Sequence, residues 1–153
     1  MCGNAPIPDG ASSEKGDALS LDRQLCFRLY AAARRVIGLY QPILEPLGLT
    51  YTQYLVLMAL WDEDPLTVKA LGARLHLDSG TLSPLLKKLE NRHLLTRERS
   101  RDDERSVTVR LTEEGRGMKD RARDVPGRIA ACLPMEPERL DALRSLLDQV
   151  IEG

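Results

Sequence analysis

The chain has 153 residues, of which 42% are hydrophobic and 29% charged, and its formal net charge is −1. This length and composition are typical of a globular protein with one domain, or one domain and an added layer of helices. The near-zero charge argues against a non-specific nucleic-acid coat protein. No run of about 20 apolar residues is present to span a bilayer, and no basic stretch followed by an apolar run marks a secretion signal. We therefore expect a cytoplasmic protein without a membrane partner.

The cysteines and histidines give no sign of a metal site. In a reducing compartment Cys2, Cys26 and Cys132 would be thiols, which argues against a structural disulfide framework. His76 and His93 stand alone, and no Cys or His pair has the spacing of zinc ligands. No metal and no cofactor are expected.

The first part of the chain predicts a flexible leader and a long helix. Residues 1–19 are rich in Gly, Pro, Ser and Asp, a composition that disfavours a packed core. A helix should begin at Ser20 and end at about Glu45, where Pro42 and Pro46 bend or stop it. Residues spaced 4, 3, 4 and 3 apart form one stripe suited to packing against another helix: Cys26, Tyr30, Ala33, Ile37 and Tyr40.

Three shorter elements should follow. Thr50 is placed to cap a nearly all-apolar helix over residues 51–62, which we expect to be buried. Residues 66–67 are predicted as a short edge strand. Thr67 is placed to cap the next helix, over residues 68–77, which would be the first helix of a helix-turn-helix pair.

The stretch from Leu77 to Arg105 predicts a DNA-reading unit. Asp78 and the two residues after it offer a helix N-cap, and leucines at three- and four-residue spacing form one apolar face: Leu82, Leu85, Leu86 and Leu89. The opposite face carries hydroxyl groups near the helix start and lysines further along: Ser79, Thr81, Ser83, Lys87 and Lys88. This pattern suits a recognition helix whose first turns meet base edges and whose later turns meet phosphates.

A charged hairpin completes this unit. Strands are predicted over residues 94–99 and 106–111, which makes residues 51–111 a winged helix-turn-helix DNA-binding domain. Residues 84–110 carry eight Lys and Arg against five Asp and Glu, a net charge of +3, whereas each flank carries −2. Arg105 at the hairpin tip would fit a narrow minor groove, with Asp103 spaced to hold it by an ion pair. A solvated amphipathic helix and a solvated tight turn are the alternatives.

The C-terminal part predicts more helix than a winged domain needs. One helix should run from Thr112 to about Ala131 with a kink at Pro126-Gly127, and a second, leucine-rich helix from Glu136 to Ile151. We expect residues 20–50 and 112–153 to form a helical dimerisation region. A two-fold dimer would present two recognition helices to a palindromic double-stranded DNA operator. The predicted fold class is mainly α with a small β-hairpin wing (α+β).

Four segments carry a family resemblance. They are LDRQLCFRLY (21–30), YQPILEPLGLTYTQYLVLMALW (40–61), LTVKALGARLHLDSGTLSPLLKKLE (66–90) and DDERSVTVRLTEEG (102–115). The last resembles the wing of MarR-family transcriptional regulators, and LCF-x-LY with LTY-x-QYL resembles their organic-hydroperoxide-responsive branch, the OhrR repressors. The resemblance implies a homodimeric, non-enzymatic repressor that releases DNA on exposure to an organic hydroperoxide.

The resemblance implies that Cys26 is the sensor. In this branch one cysteine near the start of the first helix attacks the peroxide as a thiolate and becomes a sulfenic acid. Tyrosines matching Tyr40 and Tyr51, with Tyr30 nearby, support the anion. Cys26 and Tyr40 are 14 residues apart, which is about 21 Å on a continuous helix. The supporting tyrosines must therefore come from the partner subunit.

The resemblance implies two further assignments. Cys132 lies about where two-cysteine members of the branch keep their resolving residue, which implies an intersubunit Cys26–Cys132 disulfide; other members use a small thiol. Thr52 and Ser83 replace the proline and threonine of many relatives. The candidates for DNA contact, with the lysines serving phosphates, are Ser79, Gly80, Thr81, Ser83, Pro84, Lys87 and Lys88.

Three other interpretations remain open. One is a MarR-type regulator released by a small phenolic or lipophilic ligand, with Cys26 acting only as a small buried hydrophobe. Another is a thiol peroxidase, which the lack of a CxxC motif and of a thioredoxin-like strand pattern disfavours. The third is a dimer module that does not bind DNA. The net charge of +3 on residues 84–110, which we call the basic region, argues against it.

Overall fold

The computed structural model describes residues 19–99, 106–133 and 135–153, so the wing-tip candidates Asp103 and Arg105 lie outside the described residues. By its contacts the chain divides into two units, residues 1–35 and 36–153. The described elements are, in order, α1 (Leu25–Leu44), α2 (Tyr51–Asp62), β1 (Leu66–Thr67), α3 (Val68–Leu75), α4 (Ser79–Asn91), β2 (Leu95–Arg99), β3 (Val107–Leu111), α5 (Glu113–Arg121), α6 (Val125–Cys132) and α7 (Pro137–Glu152).

The predicted winged helix-turn-helix is confirmed. Helices α3 and α4 form the helix pair, and the strands form one antiparallel sheet in the order β1-β3-β2. Leu95 pairs with Leu111 in the hairpin, and Leu66 of the short edge strand pairs with Val109. Val109 lies on the central strand and is fully buried, so the sheet packs one face on the helices.

Local sequence signals explain where the helices of the second unit begin. Thr50 and Gln53 form a reciprocal capping box, in which each side chain bonds the other residue's backbone N–H. Thr67 accepts a hydrogen bond from the Ala70 N–H at the start of α3. Helix α2 is buried along most of its length, as its apolar sequence predicts.

Two predicted helices differ from the observed ones. The first helix begins at Leu25 rather than Ser20, after a 3-10 turn over Leu21–Arg23, and Pro42 lies inside it without ending it. The helix predicted from Thr112 to Ala131 is two helices, α5 and α6, with the break at residues 122–124. Pro126 lacks an N–H and its ring clashes with the carbonyl four residues earlier. The break therefore falls at Ala122, and Pro126 lies in the first turn of α6.

The C-terminal helix α7 leaves its apolar side chains uncovered within this chain. It has no buried residue, and four of its large hydrophobic side chains are exposed: Leu143, Leu146, Val150 and Ile151. No single helix in the described residues is long and apolar enough to cross a membrane. Only α1 with its following turn, taken together with α2 across a 75° bend, meets that length and composition.

We predict that Gly115→Ala destabilises the fold strongly. Gly115 lies in the first turn of α5, where a Cβ would overlap the carbonyl oxygen of Leu94. Since backbone has to shift to make room, the free energy of unfolding should fall by about 2–3 kcal/mol. Chemical denaturation of reduced protein measures this.

Gly117→Ala is the matched control, because nothing lies within 4 Å of a Cβ at that position of the same helix. It should raise stability by up to about 1 kcal/mol through helix propensity. Equal effects of the two substitutions would contradict the proposed close packing of α5 on the hairpin.

Candidate DNA-binding surface and redox-sensing site

The start of the recognition helix α4 is held by a carboxylate cap. Asp78 accepts hydrogen bonds from the N–H of Thr81 at 2.9 Å and from its hydroxyl at 2.9 Å. These two bonds lower the pKa of Asp78, so the cap remains ionised at neutral pH. Because the Thr81 hydroxyl proton is used by the cap, this side chain can offer DNA only acceptor lone pairs, which suit an adenine or cytosine amino group.

Gly80 and Pro84 shape the exposed face of the same turn. A Cβ at Gly80 would lie 3.0 Å from the Asp78 carboxylate, so glycine leaves room for the cap. Pro84 lies inside α4 and has no N–H to donate. The Gly80 carbonyl four residues earlier is therefore left without its helical donor, and Gly80 is exposed together with Ser79 and Ser83.

The later turns of α4 carry the two lysines. Lys87 and Lys88 are exposed, whereas Leu82, Leu86 and Leu89 are buried. A cleft of about 630 Å³ separates α3 and α4 from the hairpin, and Lys69, Ser79, Ser83, Arg97 and Ser106 lie among its lining residues. This surface combines short hydroxyl groups and cations, which is what contact with base edges and phosphates requires.

One cation of the basic region is already paired. Arg97 on β2 binds a single carboxylate oxygen of Glu90 through its Nε at 3.0 Å and its Nη2 at 2.5 Å. The guanidinium lowers the pKa of Glu90. The pair links the end of the recognition helix to the wing, and it reduces the positive charge that is free to meet phosphates.

Three tyrosines cluster where α1 meets α2. The ring centroids of Tyr40 and Tyr51 are 4.7 Å apart, and those of Tyr40 and Tyr54 are 6.0 Å apart. Burial raises the pKa of all three hydroxyls, most directly at Tyr51 where it is the only cause. They therefore stay protonated at neutral pH and can donate hydrogen bonds to an anion.

Tyr54 is the member of this cluster that the sequence analysis missed. It is 3% exposed and also packs edge-on against Trp61, with centroids 6.1 Å apart. The signal was present, because Tyr51 and Tyr54 are three residues apart on α2 and so share a face.

The remaining sensor candidates are located as follows. Cys26 is the second residue of α1 and is exposed, in the first unit. Tyr30 is also exposed, and its hydroxyl accepts a hydrogen bond from Arg34 at 2.9 Å. Cys132 is exposed at the last residue of α6, in the second unit. Within the described residues no group of three or more His, Cys, Asp or Glu side chains is arranged to hold a metal ion.

Comparisons with known proteins place the chain among regulators. Residues 38–122 match the family model of transcriptional regulator SarA/Rot. An organic hydroperoxide resistance transcriptional regulator of Bacillus subtilis (strain 168) is 47% identical over 138 residues, which is 90% of this chain and 94% of that protein.

Two solved structures extend the comparison. Both are of AbfR, a protein of Staphylococcus epidermidis. Reduced AbfR bound to DNA has a TM-score of 0.76 at 36% identity, covering 86% of this chain and 90% of that one. Disulfide-formed AbfR has a TM-score of 0.62 at 37% identity, covering 86% and 92%.

The fold and the recognition surface define a DNA-binding transcriptional regulator. The chain belongs to the MarR-like winged-helix family of SarA/Rot transcriptional regulators, whose members include regulators of organic hydroperoxide resistance. The resemblance stated from the sequence is thereby confirmed.

We predict that Lys88→Ala weakens binding to all DNA sequences alike. Lys88 is exposed on a later turn of α4, where we expect its side chain to contact phosphate rather than base edges. The alanine variant should then release one counterion fewer on binding. The slope of log K against log salt should fall by about one unit. Fluorescence anisotropy with operator and scrambled duplexes measures both quantities.

Arg121→Ala is the charge-matched control, because Arg121 is exposed on α5 outside the helix-turn-helix. It should leave the slope unchanged. A loss confined to the operator sequence would instead assign Lys88 to base readout.

Proposed function

We propose that this regulator is a cytoplasmic homodimeric repressor that senses organic hydroperoxides by oxidation of Cys26 and then releases a palindromic operator. The observation that carries the proposal is the cluster of Tyr40, Tyr51 and Tyr54, three protonated hydroxyls at one corner of the fold. The Cys26 thiol, exposed at the start of α1, is the reactive group. The relation to a hydroperoxide resistance regulator supports the choice of oxidant.

The sensor requires two subunits. Fourteen residues of α1 separate Cys26 from Tyr40, which is about 21 Å of helix. Hydroxyl donors from Tyr40 and Tyr51 can therefore support a Cys26 thiolate only across a dimer. The exposed apolar side chains of α7 support the same assembly, because their burial against a second copy removes a continuous hydrophobic face from water.

In the proposed chemistry one molecule of hydroperoxide oxidises one Cys26 thiolate in each switching event. The Cys26 thiolate attacks one peroxide oxygen, the O–O bond breaks, and the alcohol leaves with a proton while the sulfur becomes a sulfenic acid. The Cys132 thiol of the other subunit then displaces water from that sulfur and forms a disulfide. Disulfide geometry requires Cα atoms within about 7 Å. We expect formation of this bond to move α1 and α6 and to carry the recognition helices out of phase with the two half-sites. The cycle is a switch and needs no catalytic turnover.

We predict that hydroperoxide releases the wild-type protein from its operator but not Cys26→Ser. Serine cannot be oxidised by a peroxide, so the variant should hold DNA with unchanged affinity, whereas the wild-type affinity falls by at least about tenfold. Anisotropy titrations before and after one equivalent of cumene hydroperoxide measure this. Cys2→Ser is the matched control and should behave as wild type. Release of Cys26→Ser would contradict the sensing role of Cys26.

We predict that Cys132→Ser abolishes a peroxide-induced covalent dimer. Without the Cys132 thiol the sulfenic acid loses its proposed partner, so in a Cys2→Ser background only monomer should appear on a non-reducing gel. Intact mass spectrometry should show the Cys26 sulfenic acid or its small-thiol adduct in its place. A covalent dimer that persists in Cys132→Ser would remove Cys132 from the mechanism.

A cavity favours a second candidate function, release by a small aromatic ligand. It has a volume of about 270 Å³ and lies between α2 and the α5–α6 segment, with Tyr54, Met58, Trp61, Lys119 and Pro126 in its lining. Aromatic and thioether walls suit an aromatic ligand. The charged lining residues Lys119 and Arg123 are balanced by Asp62 and Asp120, so a neutral phenol fits better than an anion. A phenolic ligand that releases wild type and Cys26→Ser equally would support this candidate over the redox switch.

A further inference from the structure

Arg92 joins the recognition helix to the turn between α1 and α2. This turn lies beside Tyr40, Tyr51 and Tyr54, and we call the cluster of these three residues the tyrosine corner. Arg92 is the C-cap residue of α4, and its side chain crosses to the turn between α1 and α2. There the guanidinium donates one hydrogen bond to the carbonyl of Gly48 and a second, at 3.2 Å, to the carbonyl of Leu47. A forked, rigid donor that binds two successive carbonyls fixes both the distance and the orientation between the two segments.

The turn at residues 44–49 is stiff enough to transmit a displacement. The Leu49 N–H bonds the Leu44 carbonyl at 3.2 Å, and the Gly48 N–H bonds the Glu45 carbonyl at 2.8 Å. Leu44 and Leu49 are buried on either side of it. Tyr40 lies one helical turn before this segment, and Tyr51 follows it after the N-cap residue Thr50. We therefore expect a movement of either tyrosine to displace the two carbonyls.

Gly48 is shaped to receive the arginine. Its φ of 65° lies in the left-handed region that glycine adopts without strain. A Cβ at this position would lie 3.0 Å from the Arg92 Nη2. Glycine therefore serves both the turn and the close approach of the guanidinium.

The other end of the link is equally firm. The backbone N–H groups of Arg92 and Leu94 both bond the carbonyl of Leu89, at 3.2 and 3.1 Å. Leu89 and Leu94 are almost fully buried. The backbone of Arg92 is thereby held at the end of α4, next to the residue that leads into β2. A displacement of Arg92 would therefore move the recognition helix and the wing together.

We propose that Arg92 is a positioning residue that couples the state of the tyrosine corner to the orientation of the recognition helix and wing. The inference rests on the proposed redox function. In the reduced protein the two hydrogen bonds hold α4 in the orientation that fits the operator. When oxidation displaces the end of α1, the carbonyls of Leu47 and Gly48 move and the bonds pull α4 and the wing out of that orientation.

The test is the ratio of operator Kd between oxidised and reduced protein, measured for wild type, Arg92→Ala and Arg92→Lys at several salt concentrations. In Arg92→Ala the ratio should fall by at least about fivefold, while mass spectrometry shows the same fraction of oxidised Cys26 as in wild type. Arg92→Lys keeps the charge but lacks the rigid fork of the guanidinium that fixes the orientation of two carbonyls, so its ratio should be intermediate. If Arg92→Ala does not fold, the ratio measured for Arg92→Lys tests the proposal instead.

Arg74→Ala is the matched control. Arg74 likewise ties two elements, by hydrogen bonds from α3 to Asp62 at 2.8 Å and to the Ala59 carbonyl at 3.5 Å on α2, yet it does not touch the tyrosine corner. Its ratio should equal that of wild type.

Other outcomes overturn the inference in distinguishable ways. An unchanged ratio in both Arg92 variants removes the coupling role and leaves the redox function standing. Equal weakening in both redox states with a flatter salt slope makes Arg92 a phosphate contact. Lower oxidation of Cys26 in Arg92→Ala makes it part of the sensor itself. If wild type does not release DNA, the redox function fails and this inference fails with it.

Discussion

The burial of one face of α4 is the constraint on which the DNA-binding surface depends. Leu82 and Leu89 are fully buried and Leu86 is 1% exposed, and each such side chain contributes about 1.5–3 kcal/mol when removed from water. A rotation of the helix by one residue would expose these leucines. The orientation of Ser79, Ser83 and Lys87 toward solvent is therefore set by the core. The cap at Asp78 sets the first residue of the helix, so the axial position of these side chains is fixed as well.

The local structure at the start of α4 also determines which hydrogen-bonding groups this surface can offer to base edges. A cap that uses the Thr81 hydroxyl as a donor, and a proline that leaves the Gly80 carbonyl without a helical partner, make the first turn of α4 richer in acceptors than its sequence of hydroxyls indicates. Base amino groups are the complementary donors in the major groove. The positive charge for phosphates lies further along the helix, since Arg97 of the wing is already bound to Glu90.

Periodicity and capping chemistry were enough to predict the winged domain, because they act within a few residues. The structure contains the predicted leucine spacing of α4, the Thr50 and Thr67 caps and the short strand at Leu66–Thr67.

Other features were not predicted correctly. The break before α6 was predicted at Pro126-Gly127, but a proline disturbs the helical turn that precedes it, so the break falls at residues 122–124. His76, the C-cap of α3, and His93, which follows the C-cap of α4, have positive φ of 52° and 57°, a conformation that is uncommon outside glycine and was not predicted. The contact of Arg92 with Gly48 joins residues 44 positions apart, and no local pattern encodes it. The roles proposed for Cys26 and Cys132 came from family resemblance, because a sensor that spans two subunits leaves no local pattern in one sequence.

The proposed release from DNA has to be geometric rather than electrostatic. Oxidation of Cys26 to a disulfide changes no charge on Lys87 or Lys88, so the phosphate attraction that supplies most non-specific binding persists in both states. Specific binding to an operator with two half-sites has a further requirement. Both recognition helices must fit successive turns of the major groove at the same time. A coupling of only 1–3 kcal/mol changes affinity by about 5–150-fold, and the loss of a few base contacts in one half-site is of that size. A stiff connection from the tyrosine corner to α4 is therefore sufficient for the switch. The oxidised protein should keep its weak, sequence-independent affinity for DNA, because nothing in the proposed chemistry removes a cation from the surface.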